Sequence, residues 1–503
     1  MREGALAAGA AAAGVPGVLE ALAEGVRWLL AVSGAAVMVY FLCVNTSYLV
    51  LIALATWDSV HYHRRVAFAG ADDVYSNPLN PAISVIMPAY NEEAGIVEAV
   101  RAMLSMRYPS FEIIVVDDGS RDGTFDRLRE EYDLVEVPRV VPDDIPTRGR
   151  VLSVHVPGGG SQVLTVVRKS NSGRADALNV GINFARNPLV CMVDADSILD
   201  PGALLSVAKP FTDDPLRTVA TGGVIRIANG CDVVGGRVVT VRMPRQWLVR
   251  IQVIEYLRAF LLGRTGWSRL GGLLIISGAF GLFRRDAVVE IGGLDPDSIG
   301  EDAELVTRLH RHMREQDRDY RIVFVSEPVS WTEAPSTLAV LGRQRRRWSR
   351  GLAELAWKHR AMFGNPRYGR IGLLALPYYV VFELLAPLVS LSGLVLVPLG
   401  VLVGAIDLPF AGAIMLASYG YALLVAFTAL AVEEYAFHRY TRWRDLGVAA
   451  LAAFAENIGY RQFNAWWGVQ GIVAALRRTQ QVWGVMTREG FSAQGRPTGG
   501  KRR

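Results

Sequence analysis

Between about residues 80 and 360 the chain alternates short apolar runs with amphipathic stretches. Ile83 to Met87 reads as a buried strand and Glu92 to Met106 as an amphipathic helix with acids in its first turn. Phe111 to Val116 predicts a second strand, running into Asp117-Asp118-Gly119-Ser120. Gln162 to Val167 predicts another strand, Arg174 to Arg186 a helix, and Leu189 to Val193 a strand that ends at Asp194. This βαβ alternation implies an α/β domain with a mostly parallel sheet and right-handed crossovers. Ligands of such sheets bind at the carboxyl ends of the strands, where Tyr90, Asn91, Asp117, Asp118, Asp194 and Asp196 stand. The Pro/Gly-rich stretch Val137 to Gly160 reads as an insertion, a hairpin with no assigned function, and no internal repeat is visible.

Outside this middle the polar positions thin out. From about Val26 to Trp57 no ionisable residue lies between Arg27 and Asp58, and about 20 apolar residues cross a bilayer core. A second apolar stretch runs from Ile371 to about Val403, broken by Pro377, Pro387 and Pro398 and carrying Glu383; a third covers about Phe410 to Val432. The last, Leu446 to Leu476, holds Glu456, Asn457, Arg461 and Gln462 at its centre. Charge inside a membrane is costly and faces protein or water, so this segment reads as lining a cavity or folding back. His61, His63, Arg64 and Arg65 follow the first span, against Arg2 and Arg27 before it, which places the middle domain in the cytoplasm. Arg439, Arg442 and Arg444 mark the same side, as do Arg477, Arg478 and the Lys501–Arg503 tail. A full last crossing would put that tail outside, so the number of C-terminal crossings stays open. The resulting organisation is a tail (1–25), a transmembrane helix (26–57) and a cytoplasmic domain (80–335) with the insertion 137–160 and an interfacial helix (245–263). An interfacial helix (336–365), transmembrane or re-entrant helices (371–476) and a cytoplasmic tail (477–503) follow.

Composition sharpens this picture. The 503 residues are 51% hydrophobic and 20% charged with a mean hydropathy of +0.25, where soluble chains carry about 25% charge. Disorder and collagen are excluded, and 3 Cys, without metal-ligand spacing, exclude a disulfide scaffold and suit a reducing cytosol. The net charge is +5, with the basic residues beside apolar segments, which favours a lipid bilayer as partner and argues against nucleic acid. These features describe a multi-pass protein of the plasma (inner) membrane.

Asp194-Ala195-Asp196 puts two carboxylates on alternate residues at a strand end, which suits either a hard divalent cation or an Asx turn before Pro201. Asp117-Asp118 closes another strand, and two acidic strand ends on one sheet edge are harder to explain as turns. Lys169 and Arg174 bracket Ser170-Asn171-Ser172-Gly173 ahead of a helix; either they are solvated or a bound anion offsets Arg174 there. Gly300-Glu301-Asp302 precedes an amphipathic segment, as a helix-start acid or as a general base at the cleft edge. Gln344, Arg347 and Trp348 fall at i, i+3 and i+4 and share a helix face, an indole platform beside a guanidinium that suits a sugar ring and a diphosphate. Arg343, Arg345, Arg346 and Arg350 on the other faces read as contacts to anionic lipid.

Pro88-Ala89-Tyr90-Asn91-Glu92, Asp117-Asp118-Gly119-Ser120, Lys169 through Asn179, Asp194-Ala195-Asp196, Gly300-Glu301-Asp302 and Gln344 through Trp348 follow one another in the order seen in family-2 glycosyltransferases. The chain most closely resembles the processive membrane synthases of cellulose, chitin oligosaccharide, hyaluronan and poly-N-acetylglucosamine. The resemblance implies a Rossmann-like GT-A fold. It implies that Tyr90, Glu92 and Asp117 hold the uracil and ribose of a UDP-sugar, that Lys169 contacts the nucleotide and that Arg174 contacts the diphosphate. Asp194 and Asp196 would bind the nucleotide and its Mg2+ or Mn2+, with Asp302 as catalytic base and Glu301 beside it. Gln344, Arg347 and Trp348 would position the diphosphate and the acceptor sugar, with Ser277 and Gly278 on the acceptor side. The partners so implied are a UDP-sugar, with UDP-N-acetylglucosamine the first choice, a polysaccharide or oligosaccharide acceptor, and a small accessory membrane subunit. A non-processive enzyme acting on a lipid or short acceptor is one rival. A transporter or scaffold with a dead catalytic domain is another, weakened because every acid the chemistry needs is present.

Overall fold

The computed structural model describes residues 4–66, 77, 80–160, 163–437 and 442–478. Arg2, Arg439, Gln162 and the tail with Lys501–Arg503 lie outside the described residues. Ten strands form one sheet: β1 (Ile83–Ala89), β2 (Phe111–Asp117), β3 (Leu134–Glu136), β4 (Val151–Pro157), β5 (Leu164–Lys169), β6 (Leu189–Val193), β7 (Ile198–Leu199), β8 (Thr218–Ile227), β11 (Phe280–Arg284) and β12 (Arg321–Thr332). Their order is β3-β4-β5-β2-β1-β6-β11-β8-β12-β7, and β9 (Asp232–Val234) pairs with β10 (Arg237–Thr240) as a separate hairpin. The strands β5, β2, β1 and β6 are mutually parallel; across the whole sheet only β4, β7 and β11 run the opposite way. The central strands are apolar on both faces and buried on both, as expected of a parallel sheet covered by helices. Helix α2 (Ile96–Leu104) presents Ile96, Val100 and Met103 to the core at i, i+4 and i+7. Helix α3 (Arg174–Phe184) is buried from Ala175 to its end.

The structure refines the sequence reading in four places. In the stretch 137–160, β4 pairs antiparallel with β3 and β5 and extends the sheet. The N-terminal tail and first span form one helix, α1 (Gly4–Val66), consistent with the high helix propensity of its Ala-rich start. The segment read as an interfacial helix, 245–263, is mostly buried. It forms α4 (Trp247–Tyr256) and a wider-wound continuation to Arg264, with Gln252 fully buried and donating to Leu248 O and Pro335 O. The last apolar segment is broken: α9 and α10 below are joined by a turn in which Ile458 and Gly459 leave helical geometry. Of the four apolar stretches, two meet the length and hydropathy of a membrane crossing among the described residues, Val39–Trp57 and Ile371–Leu402.

Helix α5 (Glu301–Glu315) precedes β12, and after the sheet come α6 (Leu338–Lys358), α7 (Ala386–Leu402), α8 (Leu408–Phe437), α9 (Trp443–Ala455) and α10 (Arg461–Leu476). Buried ion pairs fasten the C-terminal helices to the sheet and to the segment 247–264. Arg226 of β8 pairs with Glu433 of α8, Arg258 reaches both Glu456 oxygens at 2.9 and 2.7 Å, and Glu255 accepts from Arg345 and from the Tyr460 hydroxyl, each at 2.6 Å. Glu456, in the segment read as lining a cavity or folding back, is thus paired inside the protein. Helices α6 and α10 pack through glycines: a Cβ on Gly471 would lie 2.5 Å from Arg346 O, and one on Gly342 2.8 Å from the Trp467 ring.

In α5, His310 is buried between the Tyr320 hydroxyl and Leu273 O, both at 2.8 Å, and burial pushes its imidazole down to about 4. The unfolded chain binds this proton near pH 6.5 and the folded one only near 4, so stability falls as pH drops through that window. The loss approaches about 3 kcal/mol. A pH series of the thermal midpoint should show it, and His310→Gln should flatten the slope between pH 6.5 and 4.

Candidate active site

The carboxyl ends of β1 and β2 are laced into one edge. Asn91, at φ 56°, donates its N–H to Ser120 Oγ at 3.0 Å and accepts from Arg121 N–H at 2.8 Å, while Glu92 N–H donates to Thr124 Oγ1 at 2.8 Å. Tyr90 stands 44% exposed beside this edge. Asp117 is buried at the end of β2, accepts from Ser120 N–H at 3.0 Å and lies 3.6 Å from Arg168 Nε. Gly119 takes φ +70°, and a Cβ there would sit 2.8 Å from Asn171 N, so the turn requires glycine.

Beneath the 169–173 loop lies a charge cluster that motif order did not reveal. Asp118 accepts from Lys169 Nζ at 2.5 Å, from Ser172 N–H at 3.1 Å and from Gly173 N–H at 2.9 Å. Lys169 is 0% exposed and also pairs with Asp176 at 3.1 Å. Its ammonium supports the loop from below and is already matched by two carboxylates. Burial works against the Asp176 charge, yet hydrogen bonds from Ser172, Arg148 and Gly149 hold its carboxyl below the usual range. The Arg148 side chain then clasps Asp297 through both oxygens at 2.9 and 2.6 Å, so the 137–160 stretch bridges this loop to the one preceding Asp302. Asp176 is the single acid of the helix Arg174–Phe184, and that was the available sequence signal for it.

Arg174 draws the acidic motifs together. From the start of α3 it donates through Nε to Asp194 Oδ1 at 2.8 Å, through Nη1 to Glu301 Oε1 at 2.7 Å and through Nη2 to Gly278 O at 2.7 Å. Asp302 stands in the next position of α5 and accepts from Gly278 N–H at 3.0 Å. Burial pushes the Glu301 carboxyl up, Arg174 opposes the rise and Asp302 adds to it. One small cleft is lined by Arg174, Ser277, Gly278 and Asp302 over an apolar floor that includes Met192, Ile276 and Phe283. Asp194, Glu301, Asp302, Ser277 and Gly278 therefore share a site at the end of β6. Arg174, expected on the diphosphate, has its guanidinium engaged by protein groups.

For a metal the donor set is all oxygen. Arg174 holds one Asp194 oxygen, and the half-buried Asp196 stands two residues on. Among the described residues no three His, Cys, Asp or Glu side chains converge as a cage. That arrangement fits a hard cation held by one or two carboxylates and completed by substrate phosphates and water.

Helix α6 carries Gln344, Arg347 and Trp348 and lies against α5, with the Arg347 charge near enough to Glu301 to oppose the rise of its carboxyl. Its Gly351 packs against Gly300, where an added Cβ would lie 3.2 Å from Gly300 N, so this helix reaches the residue just before Glu301-Asp302. Trp348 is 42% exposed, and the Arg345 guanidinium lies over its indole ring at 4.4 Å. Arg345 is therefore buried against Glu255 and Trp348, not directed at lipid, and Arg350 pairs with Glu354 at 2.7 Å.

With this geometry in place, comparison with known proteins is informative. The family described as Glycosyltransferase like family 2 matches residues 81–351, more than half of the chain. A poly-β-1,6-N-acetyl-D-glucosamine synthase of Staphylococcus aureus is 30% identical over 308 residues, 60% of this chain and 62% of that relative. The enzyme of the same name from Staphylococcus epidermidis is 29% identical over 269 residues, 54% of each chain. The matched region thus spans less than two thirds of these relatives. In fold, the chain is similar to a mannosyltransferase of Pyrobaculum calidifontis solved in complex with GDP-Man and Mn2+, with a TM-score of 0.50 and 18% identity over 84% of this chain and 99% of that one. A GT-A sheet with acidic strand ends gathered on one edge, and a family match from β1 into α6, lead to one conclusion: this chain belongs to glycosyltransferase family 2.

Proposed function

We propose that the protein transfers N-acetylglucosamine, with inversion, from UDP-N-acetylglucosamine to a growing β-linked polysaccharide at the cytoplasmic face of a membrane, and feeds the product outward. The observation that carries this reading is the gathering of Asp194, Gly278, Glu301 and Asp302 around one arginine, with the helix of Trp348 packed against the residue before Glu301. The names of the staphylococcal relatives support the sugar, and the two long apolar segments support the membrane.

In this reading Tyr90, Glu92 and Asp117 hold the nucleoside on the β1–β2 edge, above the loop that Lys169 supports. Asp196 and Asp194 would hold Mg2+ or Mn2+, which would supply positive charge against the diphosphate, and Gln344 and Arg347 position that diphosphate. Trp348 stacks the acceptor sugar, beside Ser277 and Gly278. Asp302 takes the proton of the acceptor hydroxyl as its oxygen bonds to the anomeric carbon and the bond to UDP breaks on the opposite face. Glu301, paired with Arg174, keeps the turn in place.

A panel of radiolabelled UDP-sugars with Mg2+ or Mn2+, with products sized on a gel, tests this directly. Long polymer from UDP-N-acetylglucosamine is expected. Transfer of a single sugar to lipid would replace it with the non-processive reading, and turnover of another UDP-sugar alone would overturn the donor.

A further inference from the structure

The first turn of α5 is held from two sides. Toward the sheet, Glu301 accepts from Arg174. On the other side Glu304 is 0% exposed and accepts from Lys358 Nζ at 2.6 Å, and the same ammonium reaches Asp295 Oδ2 at 2.6 Å. Lys358 is the last residue of α6, the helix of Trp348. Arg308 adds a second cation at 3.0 Å from Glu304, and the buried His359 brings Nε2 within 3.6 Å of it. Asp295 opens the segment that leads to Gly300, which packs on Gly351 of α6.

Burying a carboxylate is costly unless it is paired, and such pairs contribute more to geometry than to net stability. Here the geometry in question is the register between two helices. One carries the base and the other the acceptor platform, and both the Lys358 bridge and the Gly300–Gly351 contact fall at their junction. The nucleoside edge, at β1 and β2, lies outside this junction.

We propose that Lys358 is a positioning residue for sugar transfer: by bridging Asp295 and Glu304 it sets the α5 turn bearing Asp302 against the α6 helix bearing Trp348. This rests on the roles given above to Asp302 and Trp348. A displacement of the acceptor by about 1 Å can cost about a hundredfold in rate, and water, needing no platform, escapes most of that loss.

The test is Lys358→Met in the full-length protein, with rates expressed per UDP-binding site. Transfer kcat is expected to fall about tenfold to a hundredfold, with donor KM unchanged and the ratio of UDP-sugar hydrolysis to transfer raised. Lys358→Arg should restore most of the transfer. Asp295→Asn, which leaves the Lys358–Glu304 pair in place, should move the same ratio by less and serves if Lys358→Met does not fold. An unchanged ratio and unchanged kcat per site, with only the amount of folded protein reduced, would overturn the proposal. Asp302→Asn run alongside separates the two ideas: if it transfers like wild type, the base assignment fails. If it is inactive while Lys358→Met keeps its kcat and ratio, only the positioning role falls.

Discussion

Asp302→Asn is expected to lower sugar transfer by about 10²–10⁴-fold, the range a positioned general base supplies. The substitution is nearly isosteric, and an amide oxygen still accepts the Gly278 N–H that now donates to Asp302 at 3.0 Å. What it removes is the ability to take up the proton of the acceptor hydroxyl. UDP binding and the thermal midpoint should stay at wild-type values, because Asp302 lies away from the nucleoside edge at β1 and β2. Initial rates at saturating donor, with UDP affinity measured on the same preparations, check this. Equal polymer from both proteins would remove Asp302 from its role.

Arg174→Met is expected to have the largest structural effect, about 3–5 kcal/mol of destabilisation. The guanidinium reaches Asp194 and Glu301 and the Gly278 carbonyl together, and its side chain is 18% exposed against 32% and 11% for the two carboxylates. Removing it leaves two partly buried acids facing each other with no cation between them. Glu301, already pushed up by burial, would then rise further. Denaturant titration should show the loss, with Arg174→Lys intermediate because an ammonium cannot serve three acceptors in the same fork. Adding Glu301→Gln to Arg174→Met should recover part of the stability, since it takes one of the stranded charges away. No recovery would mean that the arginine acts through packing of its stem alone.

The parallel half of the sheet was legible from the chain because β1, β2 and β6 are short, mostly apolar runs, and β2 and β6 lead into acids. The antiparallel strands were not. β4 hides in a Pro/Gly-rich stretch, and β11 pairs with β6 and β8, both distant in sequence, a choice local periodicity does not encode. The burial of 245–263 was missed for a related reason. Its mixture of Trp247, Arg250, Glu255 and Arg258 looks interfacial until Arg345 and Glu456 are seen to neutralise Glu255 and Arg258 from far along the chain.

The same division runs through the site. Residue order alone identified the family, because most of its motifs sit at the ends of short, strongly patterned elements and need no knowledge of their neighbours. Which charges meet depended on tertiary structure. Lys169 turned inward to Asp118 and Asp176, Arg174 became the tie between β6 and α5, and Lys358 was joined to a turn more than fifty residues earlier. The physical reason is that a charged side chain has the same local signature whether water or another chain segment solvates it, and only burial makes its partner a necessity.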